Sequence, residues 1–598
     1  MSRVQLWAAD QEDEDLADVD LGLAIGSYGQ HELQPRFDEA AFVALQHQMQ
    51  QQAAFAQIPD VVKRFLVSFH RAVRENNVAE ISAAYEGGWN KLTEKYYAKT
   101  EWPDPDVVAP LVNDDPLFLI LYRELYYRHV YSRLTPDVDD RFHSYENSCE
   151  LFNFLLNSDG PVPLELPDQW LWDIIDEFIY QFQSFCLWRQ KSKSKEPELE
   201  EDPALAQTWS TYSVLNVLYS FVQKSRINEY LDAVREGKSA EEIADIVGEY
   251  GSKPLYRMLG YFSLIGLLRV HVLLGDYTLA MKVVEHVELG QKAMLTRVTA
   301  CHVATYYYVG FCYFVLRRYA DATRTFASVL NFIGRMRQYH TRSYQYDQIN
   351  KTADRMYALF ALCTALSPSR LDDNVLSGAK ERFNDQTARM ARGDQSAYEE
   401  LYSYACPKFI SPDGGVGMWG LPLARWILTG ADSPHPLLQA LFREELKGQK
   451  GAGTLRGFLK MYKTVDVRKM AAFLEGEFKG ADEVVMEMMV LKQASRSISH
   501  MPGESAGSLL DGQSVSTSDL DFVIDENIVH VAESTIGRRY AGWFIRNAEG
   551  AERAYDGLRN AALPKNLKEL QQAAAAAAAA AGQPQQEKKA VSFAKVGA

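Results

Sequence analysis

The sequence predicts a mostly α-helical protein: a helical-repeat, tetratricopeptide-like solenoid, then a winged-helix module, then a terminal helix. Three observations predict it. Amphipathic helical patterns follow one another from Pro59 to about residue 405 with no alternating strand pattern between them. Residues 454–496 hold three short helical patterns, and Asp521–Glu533 follows as strand, tight turn and strand, the element order of a winged helix. Gly275-Asp276-Tyr277-x-x-Ala280 recurs as Arg317-Arg318-Tyr319-x-x-Ala322, with the two tyrosines 42 residues apart.

Composition bounds the chain before any element is placed. Its 598 residues are too many for one core and suggest roughly four packing units. A net charge of −16 argues against broad nucleic-acid binding, because a phosphate backbone would be repelled over most of the surface. The six cysteines stand apart with no CxxC pair, as reduced thiols in a cytosolic protein do. The N-terminus turns acidic within its first dozen residues and lacks the apolar region of a secretory signal. Val298–Leu316 has membrane-spanning length without a formal charge. Its histidine, threonines and three consecutive tyrosines, inside a repeat, place it instead as a fully buried solenoid helix.

In order along the chain, residues 1–57 form an acidic, glutamine-rich region expected to be poorly ordered. A helical domain spans 58–250. Asp60 is expected to cap its first helix, with Val61, Val62, Phe65, Leu66, Phe69 and Val73 on one face. Asp115 caps the next, with Pro116 at the first helical position, where its missing N–H costs nothing. Asp168 is expected to cap a helix apolar on most of its circumference, leaving Asp173, Asp176 and Glu177 as a narrow polar stripe. The run at 191–203 is a solvated linker.

Residues 251–330 are the helical repeats. Ala280 and Ala322 let paired helices approach, and Tyr277 and Tyr319 wedge the turns between them. Helical pattern continues through 343–366 and 377–405 before a Pro/Gly-rich break. The winged helix falls at 451–536, with Leu455, Phe458, Leu459 and Tyr462 on its first helix. Asp466 caps the second, whose buried side is Val467, Met470, Ala471, Phe473 and Leu474. The third runs from about Asp482 through Val485, Met488, Met489 and Leu491, and the hairpin turns at Asp525-Glu526-Asn527. A terminal helix with Tyr540, Trp543, Phe544 and Ile545 and an alanine-rich, disordered tail occupy 541–598.

No catalytic, cofactor or metal residue is assigned. Gly503-Glu504-Ser505-Ala506-Gly507 spells a nucleophile elbow, but loop composition on both sides denies Ser505 the strand and helix that would expose it. GQKGAGTLRG lacks the ending of a phosphate loop. His271 and His286 have no partners at metal spacing. The candidate recognition helix opens with Asp482 and Glu483 and shows Lys492 and Arg496 only late, which disfavours sequence-specific DNA binding. Its apolar side and the hairpin's open edges suit protein docking instead.

Several longer strings are more specific. PDVVKRFLVSFHRAV (59–73), LILYRELYYRH (119–129), PLELPDQWLWDIIDEFIYQFQSF (163–185), YRMLGYFSLIGLL (256–268), TYYYVG (305–310), YEELYSYACPKFISP (398–412) and RRYAGWFIR (538–546) resemble the L-subunit family of eukaryotic translation initiation factor three. That family belongs to the PCI-domain class shared with the proteasome lid and the COP9 signalosome, and its PCI domain would span 331–540 here, with a helical part at 331–450. The resemblance implies a non-catalytic, cytoplasmic scaffold subunit beside subunits K and E. It would help the complex engage the 40S ribosomal subunit and recruit mRNA and initiator tRNA, without membrane contact. A sister PCI scaffold of the lid or signalosome is the alternative.

Overall fold

The computed structural model describes residues 52–193, 208–289, 294–340, 345–367, 373–410, 434–447, 452–474, 479–494, 496–499, 508–516, 520–533 and 536–560, with a few isolated positions near either end. The acidic N-terminal run, most of the 191–203 linker, Ser505 and almost all of the alanine tract lie outside these residues.

Helix α1 is Asp60–Arg74, and its N-cap is Pro59, with no side chain capping it. Asp60 is therefore the first helical residue, where its charge still meets the positive end of the helix dipole. The buried face is Val62, Leu66, Phe69, Ala72 and Val73, while Val61 is 46% exposed. A π-helical turn, Ala83–Trp89, points Tyr85 and Trp89 inward together. Trp89 stacks on Trp102 at 3.8 Å, and Tyr85 stacks on Trp170 at 4.9 Å. Helix α2 (Pro116–Arg133) starts as expected, with Asp115 accepting from the Leu117 N–H at 3.2 Å. Helices α3 (Val138–Asn157), α4 (Asp168–Lys193) and α5 (Thr211–Ser225) complete the first layer.

The polar stripe of α4 is not a solvated edge. Asp173 is buried, and it accepts from Gln345 Nε2 and Gln169 Nε2 at 3.0 Å each and from the Tyr85 hydroxyl. Arg128 lies 3.7 Å from Asp173 and pairs with Glu124, which also accepts from the Trp170 indole at 3.0 Å. Asp176 takes Arg269 at 2.5 Å. One network thus ties the π-turn, α2, α4 and residue 345 together across the first layer. Asp168, expected as a cap, is the first residue of α4; Leu171 N–H donates to Pro167 O, and Asp168 pairs with Arg297 at 3.3 Å.

Helix α6 (Pro254–Leu274) buries nearly its whole circumference and is the one described helix apolar and long enough to cross a membrane. Its apolar window is 83% buried inside the protein, as a central solenoid helix should be. The short helix α7 (Tyr277–Val283) returns along it, then α8 (Thr299–Val315) and α9 (Tyr319–His340) repeat the pair. The repeat holds at the level of the backbone. Gly275 N–H donates to Val272 O and Asp276 N–H to His271 O, and 42 residues later Arg317 N–H donates to Phe314 O and Arg318 N–H to Tyr313 O. This is the C-terminal capping pattern that reverses the chain after a helix. Ala280 and Ala322 are fully buried where the pairs meet.

Close approach inside the second pair depends on Gly310. A Cβ there would stand 2.4 Å from the ring of Phe326, itself fully buried. Gly310→Ala is expected to destabilise the solenoid by about 1–3 kcal/mol through overpacking, read as a lowered thermal midpoint.

Helices α10 (Tyr346–Leu366) and α11 (Gln395–Ala405) extend the stack, with Asp373–Arg382 and Asn384–Ala391 between them. One continuous core runs from Ile58 to Leu446 on helix α12 (Pro434–Lys447), and a second, separate core begins at Leu455.

Candidate functional site: an interaction surface at the C-terminal end

The second core belongs to a winged helix. Helix α13 (Ala452–Met461) leads into strand β1 (Thr464–Asp466), then α14 (Val467–Phe473) and α15 (Ala481–Ala494). A ribbon of β2 (Arg496–Ser499) and β3 (Gln513–Ser516) intervenes before the wing, β4 (Leu520–Asp525) and β5 (Ile528–Glu533). The sheet order is β1-β5-β4, all antiparallel, with Val465 opposite Val529 and Ile524 opposite Val529. Asp466 caps α14 as expected, accepting from the Arg468 N–H at 2.8 Å. Leu455, Leu459, Val467, Met470, Val484, Met488, Phe522 and Val529 fill the core.

Three strands escaped the sequence reading. β1 is three residues long, too short for a period-two signal. β2 and β3 are serine-rich and flank a glycine-containing loop, so they carry no hydrophobic alternation. Phe473, expected on the buried side of α14, lies on the surface at 54% exposure, and Met489 of α15 is 56% exposed. Tyr462 follows α13 and is also exposed.

Those exceptions make a surface. Phe458, Tyr462 and Phe473 form a near-parallel aromatic row, with neighbouring ring centroids 6.3 Å apart. Met461, Met486, Met489 and Val490 add exposed apolar area on the same module. β1 and β4 each have one side unpaired among the described strands, an opening for strand addition. Helix α16 (Ile536–Asn560) follows directly, and its Trp543, Phe544, Ile545, Tyr555 and Leu558 are each more than half exposed. Isolated apolar residues on a surface are ordinary, but five on one helix beside an apolar module mark an interaction site.

Nucleic-acid reading fares poorly on the same helices. α15 opens with Asp482 and Glu483, and burial together with the Glu483 carboxylate raises the Glu487 pKa. Lys492 is committed inward: its ammonium donates to Phe522 O at 2.5 Å and lies 3.6 Å from Asp521.

A cleft of about 750 Å³ lies elsewhere, between the first layer and the solenoid, and is lined by Glu86, Glu165, Asp168, Arg297 and Gln345 among other neighbours. Its lining holds no histidine or cysteine, and its Ser82 hydroxyl donates to Glu86 Oε1 at 3.0 Å one turn along the same exposed helical face. His271 is buried and shares a hydrogen bond with the Tyr219 hydroxyl at 2.9 Å, and burial lowers its pKa. His286 meets Asp232 at 2.9 Å. Among the described residues no three His, Cys, Asp or Glu side chains gather as a metal site would require.

One half-buried acid on α4 has an expected signature. Glu177 sits against Arg128 and Gln181, and burial pushes its pKa up to about 8 from an ordinary 4.5, with Arg128 opposing. A folded-state pKa above the unfolded value means that the folded state holds an extra proton between those limits. The stability it confers is full below about 4.5 and is lost as pH rises towards 8. Glu177→Gln is expected to flatten the fall of the thermal midpoint over that window and to raise the midpoint at its upper end.

Residues 140–551 match the family described as RNA polymerase I-associated factor PAF67. The chain is 54% identical over 525 residues to eukaryotic translation initiation factor 3 subunit L of Mycosarcoma maydis, covering 86% of this chain and 76% of that protein. The subunit L of Nematostella vectensis is 45% identical over 82% of this chain and 91% of its own length, and that of Homo sapiens 42% over 87% and 93%. None of these descriptions names a catalytic activity.

Proposed function

This chain belongs to the family of eukaryotic translation initiation factor 3 subunit L, and from that membership we propose that it is a non-catalytic PCI-type scaffold subunit of the initiation factor 3 complex. In this reading the solenoid supplies shape and the C-terminal module supplies contacts, and no side chain performs chemistry. The subunit lies beside subunits K and E in the cytoplasm. Through the complex it supports binding of the 40S ribosomal subunit and recruitment of mRNA and initiator tRNA.

The observation that carries the scaffold role is where exposed apolar surface collects. It concentrates on the winged helix and on α16, whose Trp543, Phe544 and Ile545 face solvent in the isolated chain. An aromatic cluster of that size is costly to leave wet and is the kind of anchor that dominates protein interfaces. Open strand edges at β1 and β4 add a second mode of contact through main-chain hydrogen bonds.

Sedimentation of a cytosolic extract through a sucrose gradient tests the ribosomal part. The chain is expected in the 40S fractions, and its rapid depletion is expected to lower the ratio of polysomes to monosomes. A chain that stays at the top of the gradient, with polysomes unchanged on depletion, would contradict the role.

A further inference from the structure

Arg317 and Arg318 occupy a turn whose local requirements other residues meet better. In the preceding repeat the same turn is Gly275-Asp276. Gly275 takes φ +86°, open to glycine without strain, and Asp276 caps α7 by accepting from the Leu279 N–H at 3.0 Å. In the second copy the backbone hydrogen bonds are the same, yet Arg317 takes φ +59° with a Cβ, and Arg318 stands where the capping carboxylate was. A position that breaks its local rule while keeping its geometry points to a contact made elsewhere.

Both side chains make such contacts: Arg317 to α12 at the end of the first core, and Arg318 to the segment that enters the C-terminal module. Arg317 pairs with Glu445 on α12, the helix before the winged helix. Arg318 is 5% exposed and holds Asp321 at 2.7 Å. It then reaches across about 190 residues of sequence: Nη1 donates to Leu509 O at 3.2 Å and Leu510 O at 2.7 Å, and Nη2 to Asp511 O at 2.8 Å. The Tyr313 hydroxyl donates to Leu509 O at 2.9 Å. The side chains of Leu509 and Leu510 pack on the solenoid core, and a turn closes the segment, with Ser508 N–H on Asp511 Oδ2 and Asp511 N–H on Ser508 O, both at 2.9 Å. β3 follows at once, paired to β2 of the winged-helix module.

We propose that Ser508–Gly512 is a strap that fastens the winged-helix module to the solenoid at a fixed angle through Arg318, and that its detachment frees the module to turn. Arg318 is the positioning residue. Its guanidinium is buried, so the three carbonyls complete its hydrogen bonding; lifting the strap leaves donors and acceptors unpaired until water reaches them. Partial release is therefore unfavourable, and the strap behaves as a two-state latch. Because Arg318 reads main-chain oxygens, the strap's sequence matters through Leu509 and Leu510. The latch is a property of the isolated chain and does not depend on the proposed complex.

Spin labels test it in the full chain. One label goes on Cys149, which is exposed, and one on Gln493→Cys, on the exposed side of α15, with Cys186→Ser to remove a competing thiol. The parent is expected to give one narrow distance distribution. Arg318→Ala, and independently Leu509→Ser with Leu510→Ser, are expected to broaden it. Hydrogen exchange of the Leu510 and Asp511 amides should accelerate by about tenfold or more in both, with α6 and α8 unchanged. The strap-side pair leaves the solenoid intact, so it decides the matter should Arg318→Ala misfold. A broad distribution in the parent, or a narrow one in the strap-side pair, overturns the proposal.

Discussion

Trp543→Asp combined with Phe544→Asp is expected to remove the chain from its complex while leaving it folded. The two side chains are 53% and 64% exposed, so replacing them costs the isolated fold little. Burying them against partner subunits contributes roughly 1.5–3 kcal/mol each, which sets the loss on the order of 100-fold or more in affinity. Two buried carboxylates would add a desolvation penalty to that. The check is quantitative recovery of partner subunits with the tagged variant, beside a thermal melt matching the parent's. Undiminished recovery would mean that α16 is not the anchor.

The second large effect is on stability. Arg128→Ala is expected to cost about 3–5 kcal/mol, because it leaves Glu124 and Asp173 buried without their cation. Burial disfavours the charged guanidinium, but Glu124, Tyr85 and Asp173 together more than offset it, so the arginine stays protonated. In a unit of 150–250 residues each kcal/mol shifts the midpoint by about 2–4 °C, giving a fall on the order of 10 °C. The π-turn and α2 should lose protection first, since Tyr85 and Arg128 hold them to α4. A shift under a couple of degrees would show that water replaces the arginine's role.

How much of this was legible in the sequence depended on the range of the interaction. Asp115 and Asp466 were found as caps because a cap is decided within three residues. The 42-residue repeat was visible because its small and aromatic residues recur at fixed offsets. The polar stripe of α4 was visible in the sequence but its partners were not, because Tyr85, Arg128 and Gln345 come from distant segments that no helical period announces. Phe473 was assigned inward on hydrophobicity alone, yet it lies among the exposed apolar residues that mark an interaction surface. Arg318 carried a signal that could have been used: an arginine where the sister repeat has its capping aspartate. The strap it grips has only loop composition, so nothing in the sequence pairs the two.

We propose that this chain works as a stoichiometric subunit of the initiation factor 3 complex. Gentle affinity purification of the tagged chain from its own cytosol, followed by quantitative mass spectrometry, tests it most directly. Near-equimolar recovery with the other initiation factor 3 subunits is the predicted result. Recovery as a monomer, or with the subunits of a proteasome lid or COP9 signalosome, would contradict it.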